Sequence, residues 1–313
     1  MGKKVLVTGG AGFIGSTTSG LLIEKGLDVC IVDNLFMGKK ENVPKKASFY
    51  NADIRNKKGL EKVFAREKPD FAMHFAAHMN LRQSIEDPFF NADVNVIGSL
   101  NLLECCRKFS VEKILFASSG GACYGEPLHI PVPETHPLQP LSPYGASKIA
   151  LEEYAYSYWK NFGLDFVGMR YANVFGPRQN PESEAGVISI FAKAFLEKKR
   201  PVIFGSGEQT RDFIFSGDVA EANLLALSKK TGSKIFNIGT GTEHSVNEIF
   251  SYLKNFFAFN EEAVRKPGIA GEVRRISLDI SLAEKELGWK PKTGFEEGME
   301  TTAKWFAEKS GKR

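Results

Sequence analysis

The chain has 313 residues, 42% of them hydrophobic and 25% charged, with 41 lysines and arginines against 37 acidic side chains for a net charge of +4. That length exceeds what one ordinary domain needs, and the composition is that of a globular protein in water. The charges are nearly balanced and mixed along the chain, which argues against a nucleic-acid or membrane-surface partner, and no apolar run reaches membrane-spanning length.

Lys4-Val5-Leu6-Val7 predicts a strand, followed at once by Thr8-Gly9-Gly10-Ala11-Gly12-Phe13-Ile14-Gly15 and a helical pattern from Ile14 to Lys25. Strand, glycine turn and helix in that order are the context of a dinucleotide site. Gly9, Gly12 and Gly15 permit the tight turn and the close approach of a pyrophosphate, and the helix N-terminus offers free N–H groups to the anion. A second strand, Val29-Cys30-Ile31-Val32, ends in Asp33, eighteen residues after Gly15. A carboxylate there accepts from an adenosine ribose and repels a 2′-phosphate, so NAD is expected over NADP. Asn34, Leu35 and Phe36 follow. Ser48 to Ala52 predicts a third strand closing on Asp53-Ile54, where Asp53 could hold adenine or cap the helix of Lys57 to Glu67.

Phe71 to Ala77 reads as a fourth, buried strand. Ligands of open α/β sheets bind beyond the carboxyl ends of strands, so Ala76, Ala77 and His78 should line the cofactor, while His74 reads as a satisfied core residue. Asp93 to Lys108 predicts one long helix, with Asn95 as a polar contact to the cofactor or a neighbouring loop. The fifth strand, Ile114 to Ala117, delivers Ser118-Ser119-Gly120-Gly121-Ala122-Cys123-Tyr124-Gly125. Its serine hydroxyls could meet a substrate oxygen or simply make a turn. Pro127 to Pro143 is a rigid, proline-rich connection into a helix running to Phe162. Tyr144 and Lys148, four apart, share one face of it. A phenol has an ordinary pKa of ~10, and bringing it to ~7 takes ~4 kcal/mol, which a neighbouring ammonium and a bound oxidised nicotinamide could supply. Asp165 to Tyr171 is a sixth strand.

The alternation of strands and helices predicts an α/β protein, a Rossmann-type doubly wound parallel sheet, with a smaller C-terminal α/β substrate-binding lobe. From Asn173 the rhythm breaks into a turn-rich exit through Arg178, a helix from Gly186 to Lys198, a short strand at Pro201 to Phe204, the run Arg211 to Phe215, a helix through Asp218 to Leu227 and a strand at Ile235 to Ile238. The expected division is residues 1–175 plus 213–239 for the cofactor domain, and 176–212 plus 240–313 for the second lobe. Cys30, Cys105, Cys106 and Cys123 lack metal-ligand spacing, and the amino terminus shows no signal-peptide character. Reduced thiols, no metal and a cytoplasmic location are expected.

Taken together, the glycine turn, Asp33-Asn34, Asp53-Ile54, Phe75-Ala76-Ala77, Asn95, the Ser-Ser before Tyr124-Gly125, Ser142-Pro143-Tyr144 with Lys148, Arg170-Tyr171, Asn173, Arg211-Asp212 and Asp218-Val219-Ala220 form an ordered set. The chain resembles the extended short-chain dehydrogenase/reductase superfamily and, within it, the UDP-glucose 4-epimerases. The resemblance implies redox-neutral inversion at C4 of a UDP-hexose through a 4-keto sugar, with a retained NAD. Tyr144 would be the acid–base, Lys148 would lower its pKa, and Ser119, or failing that Ser118, would steady the 4-oxygen, with Cys123 an outside candidate. Phe13, Ile14, Leu35, Phe36, Gly38, Ile54, Phe75 and Tyr171 join the cofactor set. Asn173, Val187 and Ile188 suit sugar and uracil, and Arg211 and Arg274 suit the diphosphate, since guanidinium presents forked donors to phosphate. A homodimer through helices 93–108 and 144–162 is also implied.

Two departures stand out. The position four before Tyr124, where these epimerases commonly carry Ser or Thr, is Gly120, and the arginine often preceding the Gly271-Glu272 pair is replaced by Ile269-Ala270. Ile276 and Ser277 leave room for a larger sugar substituent, so UDP-GlcNAc/UDP-GalNAc or UDP-glucuronate are alternative substrates. A nucleotide-sugar dehydratase needs an acid–base pair where Gly120-Gly121-Ala122 stands. A non-catalytic NAD-binding protein would have no use for Tyr144 and Lys148.

Overall fold

The computed structural model describes residues 2–182, 186–268 and 273–311. Residues 269–272, which carry one of the two departures, lie outside them, as do the last two, 312 and 313.

Apolar β-branched runs build the first layer. β1 (Lys4–Thr8) leads through the glycine turn into α1 (Phe13–Glu24), then β2 (Asp28–Asp33), β3 (Ser48–Asn51), α2 (Lys57–Glu67) and β4 (Phe71–His74). Two short helices, α3 (Leu81–Glu86) and α4 (Pro88–Ala92), precede a π-helical turn (Asp93–Ile97) that opens α5 (Gly98–Lys108). Next come β5 (Lys113–Ser119), the single turn α6 (Gly120–Cys123), α7 (Pro143–Phe162) and β6 (Asp165–Tyr171). β7 (Asn173–Phe175), α8 (Val187–Leu196), β8 (Val202–Phe204) and β9 (Thr210–Phe215) follow. α9 (Ser216–Ser228), β10 (Ile235–Ile238), β11 (Glu243–Ser245), α10 (Val246–Phe256), β12 (Val264–Lys266), β13 (Arg275–Ile276), α11 (Ser281–Leu287) and α12 (Phe295–Lys309) complete the chain.

Seven strands pair in the order β10-β6-β5-β4-β1-β2-β3, every pairing parallel. The chain moves from β1 outward through β2 and β3, then returns to the other side of β1 with β4. The order therefore reverses between β1 and β4, and the crevice at their carboxyl ends is where such a sheet takes a ligand. The strands are nearly continuous hydrophobic runs because both faces are covered. Leu22 and Ala222 of α1 and α9 pack on one face with Val5, Val7 and Met73. Leu60, Leu102 and Leu151 of α2, α5 and α7 pack on the other with Leu6, Ala72 and Phe116.

β7, β9, β11 and β13 form a separate small sheet, and a phenylalanine-rich core joins α8, α10 and α12 beneath it. The expected boundaries at 175 and 213 fall inside this sheet, because β7 pairs with β9 over Asn173–Phe213 to Phe175–Phe215. In the opposite direction, Ala283, Leu287 and Trp289 of the C-terminal segment pack into the core of the large sheet.

Two elements differ from the sequence pattern. The fourth strand stops at His74 rather than Ala77, since its neighbour β1 ends opposite it at Thr8 and turns away at Gly9. The long helix expected from Asp93 begins with the π turn, which holds buried Asn95.

Candidate active site

The glycine turn shows why its residues are small. An ideal Cβ on Gly15 would stand 2.2 Å from the carbonyl oxygen of Gly9, so only glycine lets the first turn of α1 sit on the loop. α1 has neither a side-chain cap nor an acidic residue in its first turn, and its leading N–H groups face outward as an anion site. Asp33 closes the loop from β2. Its Oδ2 accepts from the N–H of Ala11 at 3.0 Å and its Oδ1 from the N–H of Leu35 at 2.8 Å. Burial raises its carboxyl, and those two donors pull it back. Each oxygen retains a lone pair for a ribose hydroxyl. This cradle fits a dinucleotide.

Around it, Leu35 sits at φ 60° and Gly38 packs beside the Asp33 carboxylate, while Phe36 is exposed. Phe13 and Ile14 are half-buried at the head of α1. Asp53 does not cap α2: Asn56 does, accepting from the N–H of Gly59. Asp53 instead accepts from Asn34 Nδ2 at 2.9 Å and pairs with Arg55, which holds its carboxyl at about 2. Ile54 is buried against Gly98. Phe75 and Ala76 lie half-buried beyond β4, where the N–H of Phe75 donates to the carbonyl of Thr8. Ala77 is half-buried there too. Asn95 contacts the neighbouring loop: its Oδ1 accepts from the N–H of His78 at 2.7 Å, and its Nδ2 donates to the His78 carbonyl and to Ser147 Oγ, both at 3.0 Å. The π turn thus ties the loop after β4 to α7. His74 is satisfied in the core between Thr8 Oγ1 and Ser99 Oγ, and burial holds its imidazole neutral. The Tyr171 hydroxyl donates to Asn223 Oδ1 on α9 at 2.7 Å, so its side chain faces the helix layer.

On the opposite wall, Ser142 caps α7 and Pro143 takes its first position. This places half-buried Tyr144 in the first turn with buried Lys148 one turn below. Lys148 Nζ donates to the carbonyl of Ala117 at 2.9 Å and lies 5.7 Å from the centre of the Tyr144 ring. Burial brings the Lys148 ammonium down to about 8. Burial, with the Cys123 thiol beside it, pushes the Tyr144 phenol well above its ordinary value, and the Ser119 hydroxyl pulls it the other way. On the chain's own groups the phenol is therefore pushed upward, and the ammonium expected to oppose this together with a bound nicotinamide donates to a backbone carbonyl.

The two serines have different partners. Ser118 is buried, donating to Glu152 Oε1 at 2.6 Å. Ser119 is half-buried at the head of α6, makes no capping bond there, and lies close enough to the Tyr144 phenol for its hydroxyl to act on it. Gly120 is buried, and a Cβ on it would lie 2.6 Å from Leu278 Cδ1. Leu278 thus occupies the space a side chain at position 120 would need.

The second lobe supplies the third wall. Asn173 opens β7 and clusters with Gly121, Ile276 and Leu278 where the small sheet meets the end of β5. Ile276 and Ser277 are both buried. Val187 is half-buried at the start of α8, and the Ile188 side chain is in the core. Arg211 Nη1 donates to the carbonyls of Thr210 at 2.8 Å and Arg274 at 3.5 Å, so the two arginines meet at the edge of the small sheet, with Arg274 exposed. Asp212 anchors this edge, its carboxylate accepting from the N–H groups of Thr240, Gly241 and Leu278.

A sequence profile of the NAD dependent epimerase/dehydratase family matches residues 5–239. The chain belongs to that family. A putative UDP-glucose 4-epimerase of Methanocaldococcus jannaschii is 51% identical over 302 residues, spanning 96% of this chain and 98% of that protein. The UDP-glucose 4-epimerase of Thermotoga maritima, solved with UDP-glucose, superposes with a TM-score of 0.95 at 43% identity, covering 98% and 99% of the two chains. That of Thermus thermophilus, solved with NAD, gives 0.92 at 43% identity, covering 97% and 98%.

Within this epimerase/dehydratase frame, one part of the site escaped the sequence pattern. Glu152 lies one turn below Lys148 on α7 and forms a buried ion pair with Arg170 of β6, whose Nε donates to Oε1 at 3.0 Å. Arg170 Nη1 also donates to the Tyr124 hydroxyl at 3.0 Å. The available signal was the four-residue step from Tyr144 to Lys148 to Glu152, three groups on one helix face. Among the described residues there is no metal-binding cluster and no helix able to cross a membrane, and the cysteines are buried and unbridged.

Proposed function

We propose that the chain inverts C4 of a UDP-hexose, interconverting UDP-glucose and UDP-galactose, with NAD as its cofactor. One observation carries the reading: a half-buried Tyr144 phenol with Lys148 one turn below, its Nζ 5.7 Å from the ring centre, and the Ser119 hydroxyl near it at the carboxyl end of β5. When bound, NAD supplies reversible oxidation at the sugar C4. Gly9, Gly12, Gly15 and Asp33 hold the cofactor, with the loops bearing Leu35, Asp53 and Ala76 around them. Tyr144 takes the proton of the 4-hydroxyl and returns it to the 4-oxygen. Ser119 donates to that oxygen as its charge develops. Lys148 contributes a positive charge and a ribose contact, and the bound oxidised nicotinamide adds a second cation to oppose the effect of burial on the phenol.

Inversion requires the hexose to turn over while its nucleotide end stays held. In this reading Arg211 and Arg274 grip the diphosphate, and Asn173 with the backbone of Val187 and Ile188 receives sugar and uracil. A helical turn without carboxylates at Gly120 to Cys123 supports inversion over dehydration, which needs an acid and a base there. Exposed Ile85, Phe89, Ile97, Tyr154 and Phe162 lie on α3, α4, the π turn and α7, and support a homodimer packed through these helices. Unbridged thiols fit a reducing, cytoplasmic setting.

The test is direct. Purified protein given UDP-galactose should form UDP-glucose without added reductant and without net NADH absorbance. A parallel panel of UDP-GlcNAc and UDP-glucuronate reads the hexose preference. Accumulation of NADH, or turnover of neither UDP-glucose nor UDP-galactose, would overturn the reading.

A further inference from the structure

Arg178 follows β7 of the small sheet, in the turn that leads on toward α8, with its backbone in the left-handed region at φ 73°. That conformation is costly for a residue with a Cβ and persists where the surroundings impose it. The side chain crosses to the cofactor domain, where Nη2 lies 3.4 Å from Thr17 Oγ1 on α1. Thr17 in turn donates to the carbonyl of Phe13 at 3.0 Å, so its hydroxyl is drawn back toward the first turn of the helix. The guanidinium therefore sits about one turn, roughly 6 Å along the axis, from the outward-facing N–H groups of Phe13 and Ile14.

Among the described residues, no carboxylate offsets it. Burial pulls the Arg178 guanidinium below its ordinary pKa with no neighbouring charge acting the other way, and the first turn of α1 contains no acidic residue. An unpaired, partly desolvated arginine is a cost that a folded chain ordinarily avoids. Here it lies against the helix end shaped to take a pyrophosphate.

We propose that Arg178 is a cofactor-binding residue, a cation carried from the second-lobe side of the site onto α1, where it pairs with the pyrophosphate of bound NAD. The inference rests on the reading that this chain binds NAD. It gives the anion a full positive charge beside the helix dipole, and it makes cofactor retention depend on the turn that follows β7.

The test compares wild type, Arg178→Met and Arg178→Lys as full chains, measuring NAD and UDP dissociation constants by calorimetry and the thermal midpoint without ligand. Loss of a charge-assisted contact should weaken NAD by roughly 10- to 100-fold in Arg178→Met. Arg178→Lys keeps the charge without the fork and should fall between. UDP affinity should stay within about twofold, a change too small to report a lost contact. The ligand-free midpoint of Arg178→Met should be unchanged or higher, a readout that a purely structural arginine would move downward. Unchanged NAD affinity, an equal loss for UDP, or a lowered midpoint without a change for NAD would overturn the proposal. Should Arg178→Met fail to fold, Arg178→Lys decides: NAD binding as tight as in wild type refutes it. If wild type itself bound no NAD, the cofactor reading would fail first.

Discussion

Removing the Ser119 hydroxyl separates two positions that the sequence alone confuses. Ser119→Ala deletes the group facing the Tyr144 phenol, and losing one donor to a developing oxygen charge should lower kcat by roughly 10²- to 10³-fold. Stability should hardly change, since this hydroxyl makes no cap at α6. Adding Gly120→Ser restores a hydroxyl at the position that related enzymes commonly use. Here its Cβ would lie 2.6 Å from Leu278 Cδ1 and 2.8 Å from Cδ2, and Leu278 is only 1% exposed. Overpacking of that kind costs about 1–3 kcal/mol. The double variant should therefore be as slow as Ser119→Ala and less stable, with a lower midpoint in chemical denaturation. Adding Leu278→Ala to Gly120→Ser should relieve the strain at the price of a cavity. Rates on UDP-galactose and unfolding curves for the three variants decide the matter. If Gly120→Ser recovered the lost rate by about 10²-fold, the low end for a working acid–base or donor group, the hydroxyl at 120 would reach the sugar and the reasoning would be wrong.

Tyr144→Phe should lose at least ~10²-fold in kcat while leaving UDP affinity in place, since the general acid–base group is removed and the nucleotide anchor is not. Glu152→Ala leaves the Arg170 guanidinium buried and unpaired and should cost about 3–5 kcal/mol in unfolding free energy, whereas Glu152→Met/Arg170→Met should cost less than either single change. Lys148 has a folded-state value near 8 against an unfolded value of 10.5. The unfolded chain therefore binds the extra proton between those values, and stability should rise with pH through that window by ~3 kcal/mol from this group. Below pH 8 the full penalty of burying the ammonium is present. Lys148→Met should lack the rise, and the difference between the two stability–pH profiles of the ligand-free protein reads it. A difference that stayed flat from pH 8 to 10.5 would show that the ammonium is not desolvated.

The cofactor half of the site was legible because its signals are local. A glycine turn between strand and helix, a carboxylate ending β2 and a Tyr–Lys step on one helix are set by residues close in sequence. Helix caps and the π turn were harder: Asp53 and Asn56 are both acceptors near the start of α2, and only the backbone path chooses Asn56. The small sheet was read only in part. β7 is too short to alternate visibly, and its pairing depends on a partner some forty residues away.

What the sequence determined by itself is the doubly wound order, the dinucleotide cradle and the pairing of Tyr144 with Lys148, all consequences of hydrophobic period and glycine placement. The tertiary structure decided between the two adjacent serines, because a glutamate 34 positions downstream takes the Ser118 hydroxyl, and it closed position 120, because Leu278 fills the space there. It also decided which way the two pKa values move, since burial raises that of Tyr144 and lowers that of Lys148 in ways no spacing reveals. Desolvation and steric exclusion depend on everything that surrounds a group, and those surroundings exist only once the chain has folded.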